Sequence, residues 1–241
     1  MKMRRLPEID LARFAAAPPG PKLEHELRHF NAGGGFWSYD PTRQSTADIL
    51  WAQTPLLGPV PCPTWEQISS QVTRACNKGP DQTSANLGVS KTLFDTARAA
   101  DWLSARFDMG RLSIGFAGSV SYWSDVVVQD ESGIFIPFFD HRRSNGIANP
   151  DARRIVFSMQ HFWIRDRYPD LAAARLAVVR FPNHGQERSI RIDFHNDAEL
   201  LSYDELSTRI RVVYETWGRV SDERARDKRG TGTGGPNPFG F

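Results

Sequence analysis

A mixed α/β fold, with a central mixed sheet of about five strands flanked by helices, is what the sequence predicts. Three observations carry it. Apolar residues recur at helical spacing between Thr64 and Phe107; from Gly110 the period changes to two; beyond Asn149 the helical pattern returns, broken once by a strand pair between Leu176 and His195. At 241 residues, 40% hydrophobic and 24% charged, the chain is long enough to bury one sizeable core without needing two.

In chain order, residues 1–63 read as an irregular, Pro- and Gly-rich N-terminal arm. Pro18-Pro19-Gly20-Pro21 forbids regular helix and favours extended geometry. Gly33-Gly34-Gly35 follows, then Phe36, Trp37 and Tyr39, and Pro55, Pro59, Pro61 and Pro63 stiffen a second extended stretch. A single α/β domain is expected over 64–221. Thr64-x-x-Gln67 is a capping-box pattern opening a helix whose inward face is Trp65, Ile68, Val72 and Cys76. Asn77 to Gly88 reads as a polar loop with turn signals at Gly79-Pro80 and Asn86. Ser90 then caps a second helix carrying Leu93, Ala97, Ala100, Leu103 and Phe107 inward.

Leu112 to Trp123, Asp125 to Gln129 and Ile134 to Phe139 read as strands, the last two joined by the turn Asp130-Glu131-Ser132-Gly133. Asn149-Pro150-Asp151 supplies an N-cap, a first-turn proline and a dipole-favourable acid for a helix facing inward through Ile155, Val156, Met159, Phe162 and Trp163. Leu176 to Phe181 and Ser189 to His195 form a further strand pair. A second capping box, Ser202-x-x-Glu205, opens a final helix with Leu206, Ile210, Val213, Tyr214 and Trp217 as its stripe. Residues 222–241 read as a charged, then Gly-rich, tail.

Composition excludes several classes. No stretch approaches the roughly 20 apolar residues of a membrane helix, so no membrane partner is expected. Glu8 and Asp10 interrupt any apolar run near the N-terminus, which argues against a signal peptide. Cys62 and Cys76 supply neither a disulfide framework nor a CxxC metal site, and a reducing cytoplasm is the expected compartment. Net charge is +2, but it is carried by 25 Arg against 5 Lys. Arginine's planar fork suits phosphates and carboxylates; a GC-rich genome gives the same bias whatever the fold.

Phosphate-loop, HExxH and GxSxG signatures are absent, and the six histidines show no metal-ligand spacing. What remains is the hairpin from Asp125 to Arg143. Its first strand begins at Asp125 and its second ends at Asp140, so an antiparallel pair brings both carboxylates toward one rim of the sheet. Two close carboxylates repel unless a cation lies between them. Oxygen ligands of this kind suit Mg²⁺, which activates water for phosphodiester hydrolysis.

A helix, then a hairpin with an acid on its first strand and Asp140-His141-Arg142 closing its second, resembles the PD-(D/E)xK nucleases of the restriction-endonuclease-like superfamily over roughly residues 90 to 195. The resemblance implies a metal-dependent phosphodiesterase, with Asp125 and Asp140 as metal ligands, Arg142 where the family has its lysine, and Gln160 where some branches carry a functional glutamine. Arginine stays protonated and cannot serve as a base, so Arg142 is a phosphate binder at most.

Arg142, Arg143, Arg153 and Arg154 open a run of arginines after the hairpin. Arg153 and Arg154 lie near the start of their helix, where the dipole favours acids, so a nucleic-acid partner is one expectation; pairing with Asp151, Asp166, Asp170 and Glu187 is the other. Two functional readings therefore stand. One is a nucleic-acid-associated protein on a degenerate nuclease-like core. The other is a non-enzymatic subunit of a larger assembly, anchored through the N-terminal arm and the tail 230–241, where Phe239 and Phe241 would fill a protein partner's pockets.

Overall fold

The computed structural model describes residues 6–30, 38–54, 58, 61–113, 119–121, 125–142, 146–184, 187–195 and 200–230. Helices α1 (Glu8–Ala16), α2 (Pro21–His29), α3 (Asp40–Ile49), α4 (Trp65–Ala75) and α5 (Pro80–Ala99) come first. Strands β1 (Leu103–Arg106), β2 (Arg111–Ser113), β3 (Ser119–Ser121), β4 (Val126–Asp130) and β5 (Gly133–Asp140) follow. Helix α6 (Pro150–Gln160) continues into a π-helical turn, His161–Arg165, and a short 3-10 turn, Pro169–Leu171. Strands β6 (Arg175–Arg180), β7 (Asn183–His184), β8 (Glu187–Arg188) and β9 (Arg191–Phe194) precede α7 (Tyr203–Gly230).

One five-stranded sheet runs in the order β1-β4-β5-β6-β9, and β2–β3 and β7–β8 form two small ladders. Among the strand pairs of the described residues only β5–β6 is parallel, in the register Phe135↔Arg175 through Asp140↔Arg180, with α6 in the connection. From Phe135 onward β5 is buried on both faces, as a near-continuous apolar run requires of a central strand. Its ladder with β4 stops at Phe135, short of Pro137, which has no N–H to offer.

The sheet separates two apolar layers. On one side Ile136, Phe138, Leu176 and Val178 meet α1, α2, α6 and α7 through Phe14, Leu27, Ile155, Trp163 and Trp217. On the other, Phe135, Phe139, Ala177 and Val179 meet α3, α4 and α5 through Ile49, Ile68, Val72 and Leu93. Trp163, fully buried, also donates its indole N–H to the Met109 carbonyl at 2.9 Å. Among the described residues no helix is long and apolar enough to cross a membrane.

Both capping boxes form. Thr64 N–H donates to Gln67 Oε1 at 2.9 Å and Gln67 N–H to Thr64 Oγ1 at 3.4 Å; Ser202 and Glu205 make the same exchange at 2.9 and 3.3 Å. The turn before Gly133 also forms, with φ +110° at that glycine.

Three expectations are corrected. The lead-in expected to be irregular carries α1, α2 and α3: Pro21 serves as a first-turn residue of α2, and Gly20, at φ +128°, makes the entry turn. Helix α5 begins at Pro80 and not at Ser90; Asn86, read as a turn signal, is buried and accepts from the Thr42 N–H and hydroxyl at 3.1 and 2.8 Å. That helix ends at Ala99, where Asp101 turns the chain at φ +48°, and Leu103 enters a strand, although Leu103 and Phe107 fit helical spacing. Phe36, Trp37, Arg143 and residues 231–241 lie outside the described residues.

Candidate functional site

Strand β5 delivers Asp140, His141 and Arg142 to its far end, and α1 meets them there. The Arg142 guanidinium donates to both Asp10 oxygens at 2.6 Å, and Arg13 reaches Asp10 at 3.1 Å from one turn on. Asp10 is only 1% exposed, so the carboxylate of this bidentate ion pair is almost wholly out of water, while the Arg142 side chain stays partly exposed. It fastens α1 to the end of β5 across 132 residues of chain. Asp140, equally buried, accepts from the Ile147 N–H at 2.6 Å and the Arg142 N–H at 3.2 Å. Burial raises its carboxyl, and those two N–H groups oppose the rise. Gly146 is obligatory beside it: a β-carbon there would lie 2.0 Å from Asp140 Oδ2.

Glu8, at the start of α1, has Arg43 of α3 at 4.0 Å. Burial pushes its carboxyl up to about 7, with the Arg43 charge only partly opposing. His141 is buried among three aromatic rings, stacked on Phe181 at 5.4 Å and flanked by Phe139 and Tyr39 at 5.9 Å. Neither ring nitrogen has a hydrogen-bond partner among the described residues. Desolvation, with the Arg43 and Arg188 charges, holds it well below the usual histidine range, so the imidazole is neutral.

Of the residues singled out from sequence, Asp140 and Arg142 come together, but in an arrangement that consumes their polar atoms internally. Asp125 is not part of it. The hairpin register, Val128 opposite Phe135, extended along the strands puts position 125 level with Phe138, yet the Asp125 carboxyl is raised by burial and by Asp108, and opposed by the Met109 N–H and Arg106. Its neighbours and those of Asp140 share no residue. Gln160 is fully buried and donates its amide to the Ile136 and Ala177 carbonyls at 2.8 and 3.2 Å, tying α6 to β5 and β6. Arg153 donates to the Ala148 carbonyl at the start of its own helix. Arg154 lies near enough to Glu205 to favour that carboxylate's charged form.

Among the described residues no group of three or more His, Cys, Asp or Glu side chains can hold a metal. Asp10, Glu8, Arg43 and the role of His141 escaped sequence reasoning. Their partners are remote in sequence, and no local spacing signals them. The arrangement acts as an electrostatic clasp between helix and strand end.

The family model for "Sliding clamp-binding bacterial toxin SocB" matches residues 9–227, a span running from α1 into the last turns of α7. The chain is 35% identical over 236 residues to "DNA replication inhibitor toxin SocB" of Caulobacter vibrioides (strain NA1000 / CB15N), covering 98% of each chain. No solved structure matches. These findings overturn the resemblance to PD-(D/E)xK nucleases, and with it the nuclease, magnesium and DNA-binding readings. The physical reason lies in Arg142, which neutralises a buried aspartate in the place where that family positions a water-activating lysine. The chain belongs to the SocB family, whose description is that of a sliding clamp-binding bacterial toxin.

Proposed function

We propose that this protein is a toxin that inhibits DNA replication by binding the sliding clamp in the bacterial cytoplasm. One observation carries the reading: the match runs from residue 9 to residue 227 and so takes in every layer of the fold, not one motif. The internal use of Asp140, Arg142 and Gln160 supports it, since the carboxylate, guanidinium and amide that a nuclease would turn to its substrate are held by the protein's own groups. The protein-partner alternative drawn from the sequence is thus the one carried forward. Phe239 and Phe241 in the tail are its proposed apolar anchors.

The test is direct. Purified chain is passed over immobilised clamp from its own host, and DNA synthesis in that host is followed by thymidine incorporation after induction. Saturable binding and an arrest of incorporation are expected. Absence of both sinks the proposal. Shortening the chain after Gly230 tests the tail separately: weaker clamp binding with an unchanged melting temperature is expected.

A further inference from the structure

We propose that the outer edge of β9 is a docking site for an extended segment of a protein partner in which acidic and apolar residues alternate. The backbone pattern supplies the first half of the case. His195 N–H donates to the Leu176 carbonyl and Ser189 N–H to the Pro182 carbonyl, at 3.1 and 3.0 Å. With the register Arg180↔Arg191 and Val178↔Asp193, Arg191 and Asp193 turn their backbone groups toward β6. Ile192 and Phe194 therefore turn theirs outward, and β9 ends the sheet. The opposite edge differs. At β1, Gln53 already adds itself to the ladder, donating to the Ser104 carbonyl at 2.8 Å and accepting from Arg106 N–H at 2.9 Å. Among the described residues no strand performs that service for β9.

Side chains supply the second half. On one face Phe194 stays 42% exposed, edge-on to Phe135 at 5.7 Å with the Arg175 guanidinium 4.4 Å from its ring centroid, and half-buried Ile192 lies beside it. On the other face Asp193 pairs with Arg180 at 2.6 Å and Arg191 at 3.3 Å. Arg153 comes near enough to feel Asp193, Arg180 and Arg191 together. Three guanidiniums thus lie near Asp193, with buried Asp140 in register with Arg180 as the second carboxylate, and the face keeps a net positive charge. An added strand presents alternate residues to the two faces. Its apolar positions would lie against Phe194 and its acidic positions against the arginines, while its backbone bonds to the outward groups. Pairing two copies of this edge would bring the arginine clusters together, which disfavours a second copy as the occupant.

The probe is a short synthetic peptide of alternating glutamate and valine, titrated onto the full chain with amide exchange followed by NMR. Binding, with slowed exchange at the Ile192 and Phe194 amides, is expected. Arg191→Glu should weaken it about tenfold. Phe194→Pro, which removes a donor facing away from β6, should abolish it. N-methylation of the peptide gives the same block on the unaltered protein. Equal binding by a lysine–valine peptide, or binding without protection of those amides, overturns the proposal. So does protection already present in the free chain; its dependence on protein concentration would then tell a second copy from the chain's own residues. None of these outcomes requires the sliding clamp, so failure here leaves the clamp reading intact.

Discussion

Glu8 and His141 are linked to protons in opposite senses. Burial raises the Glu8 carboxyl from 4.5 to about 7, so between those values the folded chain keeps a proton that the unfolded chain has lost. Stability then falls as pH rises through that window and levels off above about 7. His141 is held well below 6.5, so under that pH the unfolded chain takes up a proton that the folded chain refuses, and stability falls as pH falls. The two slopes oppose each other between 4.5 and 6.5, and Asp140, also raised by burial, acts in the sense of Glu8. Glu8→Gln leaves the histidine less opposed, and its urea-unfolding stability should gain a slope toward rising pH of up to about 1.4 kcal/mol per unit relative to the parent. Superimposable pH profiles would mean that Glu8 carries no proton in the fold. Arg142→Met should cost up to about 3–5 kcal/mol, because it leaves the buried Asp10 carboxylate with Arg13 alone. Adding Asp10→Asn should recover part of that loss, which a double-mutant cycle reads out. Asp140 and Arg142 were legible from sequence because a hairpin end exposes them to view. Asp10, their counterpart, was not: nothing local marks a pair 132 residues apart.

Helix boundaries followed capping chemistry wherever both caps lay close in sequence. Thr64 with Gln67 and Ser202 with Glu205 were readable because each box closes within one turn. Helix α1 was hidden because Glu8 and Asp10 interrupt its apolar stripe; both are buried, and besides Arg13 of the same helix their partners come from α3 and from just beyond β5. Helix α2 ends in a way no local motif reveals. Arg224 of α7 donates to the carbonyls of Leu27, Arg28 and Phe30, supplying from outside the donors that a helix C-terminus lacks. Arg219 and Glu223 of α7 add ion pairs to Glu24 and Arg28. Arg224→Ala should therefore destabilise by about 1–2 kcal/mol. Hydrogen exchange should locate the effect in the last turn of α2 before it appears elsewhere; uniform acceleration across α7 would instead mean that the arginine serves its own helix.

At the scale of the whole molecule, the mixed α/β class and four strands of the five-stranded sheet were legible, because period-two and period-3.6 stretches alternate after Gly110. Strand β1 was not, since Leu103 fits helical spacing, and the first strand expected, Leu112 to Trp123, supplies only the separate β2–β3 ladder among the described residues. The N-terminal third was not, since prolines and glycines there bound short helices instead of replacing them. Ile9, Leu11, Phe14 and Ala15 are nearly fully buried, so removing residues 1–17 should abolish cooperative thermal unfolding, as followed by near-ultraviolet circular dichroism. A sharp transition retained at a similar temperature would restore the view of that segment as an appendage. The packing of α1 against α7 joins nearly the first of the described residues to the last. Synthesis releases the N-terminus first, so α1 and the apolar run of β5 emerge from the ribosome long before Leu206, Ile210, Val213 and Trp217 exist to cover them. Until α7 is made, the nascent chain holds apolar side chains on α1 and on one face of β5 that their last helix has yet to cover. The yield of active protein in a cell is then governed by chaperone supply during that interval as much as by the stability of the finished fold.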